Sequence, residues 1–211
     1  MSEPRTVPVP RERVVRWFEN FAERHGAPVL HTEDGALHAV APDGATAAAR
    51  LPFAEAYAGP ADPLALVADV TMPTRWGVLL VRKGGFAVAA VERGVVAPGS
   101  KVGQRHVQGR TKAGGQSQQR FARRRDNQAR QAYEAAADHA ARVLAGPIDA
   151  LVCGGDRPAV EQVLDDPRLR VLRSVRVEPW LAVPDPRRAV LDQAVRDAAC
   201  VQISVTEPSR S

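Results

Sequence analysis

The chain has 211 residues, 45% of them apolar and 25% charged, with only two cysteines, Cys153 and Cys200. That length supports one good hydrophobic core, or one core and a smaller appendage, and the composition excludes global disorder, a disulfide framework and a cysteine-rich zinc site. No apolar run approaches about 18 residues, and the first residues, Met1-Ser2-Glu3-Pro4-Arg5, lack a signal peptide's apolar stretch, so no membrane span is expected and a cytoplasmic location is.

Residues 1–9 hold two prolines without periodicity and read as a loose tail. From Arg11 to Arg24 the apolar positions Val14, Val15, Trp17, Phe18, Phe21 and Ala22 recur at helical spacing, and Gly26 and Pro28 end the helix. Three short runs follow: Pro28–His31, Ala36–Ala41 and Thr46–Leu51. Asp34-Gly35 and Asp43-Gly44 divide them, which predicts hairpins. Residues 10–70 are therefore expected to form a small helix-plus-β-meander unit. Residues 52–73, punctuated by prolines, read as a connection with a short helix.

A second domain is expected over residues 71–207. Trp76–Val81 and Phe86–Val91 are strand-like runs joined by Arg82-Lys83-Gly84-Gly85, a hairpin. Val95 to Gln116 shows no apolar periodicity and reads as a long loop, the kind that carries function. A long helix is predicted from Ser117 to Leu144, stopped by Gly146-Pro147. Ile148–Cys153 reads as a buried strand ending in Gly154-Gly155-Asp156. A helix over Pro158–Leu164, a strand over Val171–Val177, a helix over Pro186–Asp197 and a last strand over Cys200–Val205 complete the chain. Alternating strands and helices with one hairpin predict an α/β (α+β) fold, a mixed sheet flanked by helices.

The net charge is +5, and it is unevenly placed. Residues 101–130 hold nine basic side chains against a single acid, Asp126, a net +8; the rest of the chain carries −3. Only Lys83, Lys101 and Lys112 are lysines, so 26 of the 29 basic residues are arginines. A GC-rich coding bias accounts for the ratio but not for the clustering. A single-sign segment of this kind is the footprint of a nucleic-acid partner.

The segment has a chemical logic. Arg120, Arg123, Arg124 and Arg125 fall in the first turns of the predicted long helix, where the helix dipole favours anions and opposes each cation by about 0.3–1 kcal/mol. A docked polyanion reverses that cost. Gly114-Gly115 just before the helix lets backbone approach a ligand closely. No Lys-Ser or Lys-Thr follows, so a nucleotide P-loop is absent, as is a GxGxxG fingerprint. Gln116 is neither acid, base nor nucleophile at neutral pH; it acts by hydrogen bonds and its backbone N–H. A site centred on it works by positioning and electrostatics, which suffices for an activated bond such as an ester.

Gly114-Gly115-Gln116-Ser117, followed by Arg120-Phe121-Ala122-Arg123 and Arg125, resembles the GGQSxxRFxRxR region in domain 2 of the eukaryotic and archaeal class-one peptide chain release factors. The resemblance extends more weakly from about Trp76 to Val205. With no match in the first 70 residues and no codon-reading domain, the chain is most similar to the bacterial, actinobacterial-type branch of the Vms-like release factors, peptidyl-tRNA hydrolases of ribosome rescue. One departure stands out: Lys112-Ala113 occupies the place where Gly-Arg usually precedes the glycines.

The resemblance implies a release-factor domain-2 fold of the ribonuclease-H-like type. It implies catalysis by Gly114, Gly115 and Gln116, with the Gln116 N–H on the tetrahedral intermediate and the leaving 3′-hydroxyl. It implies RNA contacts from Lys101, Arg105, Arg110, Lys112, Arg120, Arg123, Arg124 and Arg125. The expected partners are peptidyl-tRNA and the ribosomal RNA of the large subunit; the protein is expected to act as a monomer without metal or cofactor. Two other classes stand beside this one: a ribosome- or RNA-binding protein without catalysis, and a nuclease acting at the tRNA 3′ end, for which Asp69, Asp149, Asp156 and Glu178 are the carboxylates at hand. His25, His31, His38, His106 and His139 are scattered, with only His31 and His38 placed to face each other. Cys153, without a visible base, reads as a core residue.

Overall fold

The computed structural model describes residues 4–104 and 130–208. The chain divides into two compact units: Met1–Met72 with Arg196–Ser211, and Pro73–Val195.

The first unit is an antiparallel sheet with helices on one face. Its strands are β1 (Arg5–Val9), β2 (Val29–Glu33), β3 (Ala36–Val40), β4 (Thr46–Arg50) and β11 (Val201–Thr206), in the order β1-β11-β4-β3-β2. Helix α1 (Val14–His25) buries Val14, Phe18 and Phe21 against Leu37, Ala39, Ala47, Ala49, Val201 and Ile203; α2 (Pro63–Ala68) adds Leu66. The small alanines of β3 and β4 make room for the two phenylalanine rings. Asp62 caps α2, its carboxylate accepting the Ala65 N–H at 2.9 Å.

Two sequence expectations are corrected here. Residues 5–9 are not a tail: they pair with β11 from Arg5 opposite Val205 to Val9 opposite Val201. The last strand, expected within a domain over 71–207, returns instead to the first unit, between β1 and β4. Pro8 is tolerated because β1 is an edge strand.

The second unit holds a mixed sheet: β5 (Arg75–Arg82), β6 (Gly85–Glu92), β7 (Val95–Val96), β8 (Lys101–Gln104), β9 (Ala150–Gly155) and β10 (Arg176–Leu181). The order is β10-β9-β5-β6-β7, with β8 also pairing β6. β5, β9 and β10 are parallel, while β5, β7 and β8 run antiparallel to β6. Helix α3, described over residues 130–143, and α4 (Arg157–Leu164) cover one face. Leu79, Val81, Phe86, Val88, Leu151 and Cys153 meet Ala136, Ala137, Ala140, Leu144, Val160 and Val163 there. Full burial of one such leucine or phenylalanine contributes about 1.5–3 kcal/mol. On the opposite face Trp76, Val78, Leu80, Ala87, Ala89 and Val91 are buried as well, so β5 and β6 are the central strands their unbroken apolar runs predict. Helix α5 (Arg188–Ala198) precedes β11.

The mixed sheet flanked by helices is the α/β fold expected. Two details differ. The expected loop from Val95 contains β7 and β8. The strand expected over Val171–Val177 lies at Arg176–Leu181, while Arg170–Arg173 form a 3-10 turn with Val171 71% exposed. Leu172 alone anchors that turn, so the apolar run there never formed a two-faced strand.

Candidate functional site

Of the predicted site residues, Lys101 lies among those described. Gly114, Gly115, Gln116, Arg105, Arg110, Lys112, Arg120, Arg123, Arg124 and Arg125 lie outside the described residues, as does His106. What the structure describes is the frame on either side of the segment: β8 ends at Gln104 and α3 is described from residue 130.

β8 is held on β6 with Lys101 opposite Val88, Val102 opposite Ala87, Gly103 opposite Phe86 and Gln104 opposite Gly85. Directly paired residues share a face, and so do residues two apart on one strand. Lys101 and Gly103 are thus on the face of Phe86 and Val88, the face that α3 covers. Gly103 lies beneath the Phe86 ring; a Cβ there would meet Cζ at 2.7 Å and Cε1 closer still. The glycine lets β8 dock flat against the ring.

The other side of that ring's environment is His139 of α3, stacked at 5.5 Å between centroids and 28° between planes. An Arg142 Nη2–H donates to His139 Nδ1 at 2.9 Å. A guanidinium has no acceptor, so Nδ1 is unprotonated and Nε2 carries the hydrogen. Burial pushes the His139 pKa down, the Arg142 and Lys101 charges push it further, and Asp138 opposes them. The histidine is therefore a neutral donor at physiological pH. In the sequence His139 is one of five scattered histidines; its only local signal is the i, i+3 spacing to Arg142 on the predicted helix.

The remaining candidates have structural employment. Asp149 Oδ2 accepts the Arg75 N–H at 2.9 Å, Asp156 lies 3.6 Å from Arg82 Nε, and Glu178 Oε2 accepts the Trp180 N–H at 2.5 Å. Among the described residues no group of three or more His, Cys, Asp or Glu side chains is placed to hold a metal ion. Trp180 is half-buried, its Nε1–H donating to the Gly155 carbonyl at 3.1 Å and Arg157 lying 4.3 Å over its ring. His31 and His38 face each other as expected, stacked at 5.1 Å. No helix among the described residues is long and apolar enough to cross a membrane.

Cys153 is fully buried, and burial pushes its thiol up to about 12. It is expected to resist alkylation by iodoacetamide at pH 8 in the folded protein and to react on unfolding. Rapid native labelling, read by mass spectrometry, would contradict the core assignment. The raised pKa also has a sign for stability: the unfolded thiol ionises near its ordinary value of about 9 while the folded one stays protonated. Its contribution is complete below pH 9 and is lost as pH rises towards 12.

Residues 74–204 match the model of a family described as Actinobacteria/chloroflexi VLRF1 release factor. No curated protein sequence matches the chain. A solved structure described as an "Archaeal protein" is similar at 13% identity and a TM-score of 0.39, over 77% of this chain and 51% of that one, so this chain spans about half its length.

Proposed function

The chain belongs to the actinobacterial and chloroflexi VLRF1 release-factor family, and from that membership we propose that it hydrolyses peptidyl-tRNA on the large ribosomal subunit in the rescue of stalled nascent chains. Membership makes it a release-factor-like protein of translation. The finer reading is carried by one observation: Gly114-Gly115-Gln116-Ser117 with Arg120, Phe121, Arg123 and Arg125 falls inside the matched segment, at the centre of the +8 charge.

The chemistry needs little of the protein. The peptidyl ester is already activated, so a water held in line and a donor for the developing oxyanion suffice. The Gln116 N–H supplies that donor and its side chain shapes the water site; Gly114 and Gly115 permit the approach. Lys101, Arg105, Arg110, Lys112, Arg120, Arg123, Arg124 and Arg125 hold the phosphates of ribosomal RNA and the tRNA acceptor end.

The decisive test is the tRNA product. Incubated with peptidyl-tRNA on large subunits, the protein is expected to release peptide and leave tRNA with its full-length 3′ end on a denaturing gel. A shortened tRNA would instead mark a nuclease. Tight subunit binding with no product of either kind would mark a binding protein.

A further inference from the structure

We propose that Lys101, His139 and Arg142 form an RNA-phosphate site between β8 and α3, in addition to the basic residues of segment 105–129. The proposal rests on the ribosomal reading above and adds His139 and Arg142 to its contacts.

The geometry brings the three together from two elements. Lys101 is on the α3-covered face of β8, two residues from Gly103, which underlies Phe86. His139 stacks on that same Phe86 ring, and Arg142 binds the imidazole from one turn along α3. The Lys101 side chain is exposed, as is Arg142, and His139 is half-buried. The imidazole is thus fixed on both flanks, by an aromatic ring and by a hydrogen bond.

The charges are uncompensated. Elsewhere in this unit Arg75 meets Glu92, Arg168 meets Asp138 and Asp166, Arg173 meets Asp165, Arg176 meets Glu161 and Arg188 meets Asp192. Among the described residues, Lys101 and Arg142 meet no carboxylate within ion-pair distance. The acid that faces His139, Asp138, is engaged by Arg168 at 2.7 Å. The two cations raise the cost of protonating the imidazole, which leaves Nε2–H as a neutral donor. Three donors, two of them charged and none with an acceptor role to fill at that end, suit the oxygens of a phosphodiester.

The test uses the full chain and purified large ribosomal subunits, with affinity measured against KCl concentration. K101Q with R142Q is expected to make the slope of log affinity against log salt shallower by about two, one for each cation. H139F keeps the ring stack and loses the donor; it is expected to weaken binding several-fold at unchanged slope, and H139Q to restore it. K83Q, at an exposed lysine of the β5–β6 turn, is expected to leave the slope as in the wild type. An unchanged slope in the double variant, an equal change in K83Q, or wild-type binding by H139F overturns the site. Failure of the wild type to bind large subunits overturns the ribosomal reading, and the proposed ligand with it. The two failures are therefore distinct.

Discussion

Gly115→Ala is expected to reduce single-turnover hydrolysis of peptidyl-tRNA by about 10²–10³-fold while affinity for the large subunit stays near wild type. That range is the effect of removing one oxyanion donor. In the proposed mechanism the donor is the Gln116 N–H, which reaches the substrate only if the preceding residue brings no side chain between them. A methyl at 115 withdraws the donor without touching any of the basic residues. Gln116→Ala separates the two functions of that residue. It keeps the backbone N–H and deletes the side chain that shapes the water site; a misplaced water costs about 10²-fold. Both variants are therefore expected to be inactive in the hydrolysis assay and competent in binding. Hydrolysis within about twofold of wild type in both would sink the GGQ mechanism, whatever the binding result.

How legible the protein is in its sequence depends on how local each signal is. The β5–β6 hairpin is readable because its unbroken apolar runs meet across a short glycine turn, and Trp76 does pair with Val91. The same holds for His31 and His38, which share one hairpin. β1 is not readable: Arg5-Thr6-Val7-Pro8-Val9 looks like a tail, and its partner Val201–Val205 lies at the far end of the chain. Nothing local marks a pairing of that separation. β8 is hidden for a different reason. Lys101-Val102-Gly103-Gln104 lacks two apolar positions on one face, and Gly103 reads as a breaker. In the fold that glycine is the fit, since the Phe86 ring occupies the space of its side chain. The basic segment is visible as charge and as the Gly114-Gly115-Gln116-Ser117 motif. His139 and Arg142 join Lys101 only through the register of β8 on β6 and the packing of α3 on Phe86, which no spacing in the sequence encodes.

Gly155→Ala, by contrast, is expected to damage the fold and spare the chemistry. Gly155 ends β9 with φ at +90°, where an L side chain is strained by about 1–3 kcal/mol. A Cβ there would also collide with the Val81 carbonyl oxygen, with Val81 C and Arg82 Cγ each at 3.0 Å. That carbonyl is not free to yield, because it accepts the Asp156 N–H at 2.8 Å. Overpacking of this kind costs about 1–3 kcal/mol more. The sum, about 2–6 kcal/mol, corresponds to a Tm lower by about 4–24 °C at roughly 2–4 °C per kcal/mol. Gly94→Ala is the matched control. Its φ is +80°, yet nothing lies within 4 Å of the added methyl, so only the strain remains. Its Tm is expected to fall by about half as much; equal losses in the two variants would mean that the Val81 contact is irrelevant. Below its lowered Tm, the Gly155→Ala protein is expected to hydrolyse peptidyl-tRNA at close to the wild-type rate. Two of the chain's three glycine pairs, then, are expected to have opposite consequences on substitution. The pair at 154–155 lets three parallel strands end side by side, and substitution there is read in stability. In the proposed mechanism the pair at 114–115 brings backbone to substrate, and substitution there is expected to be read in rate.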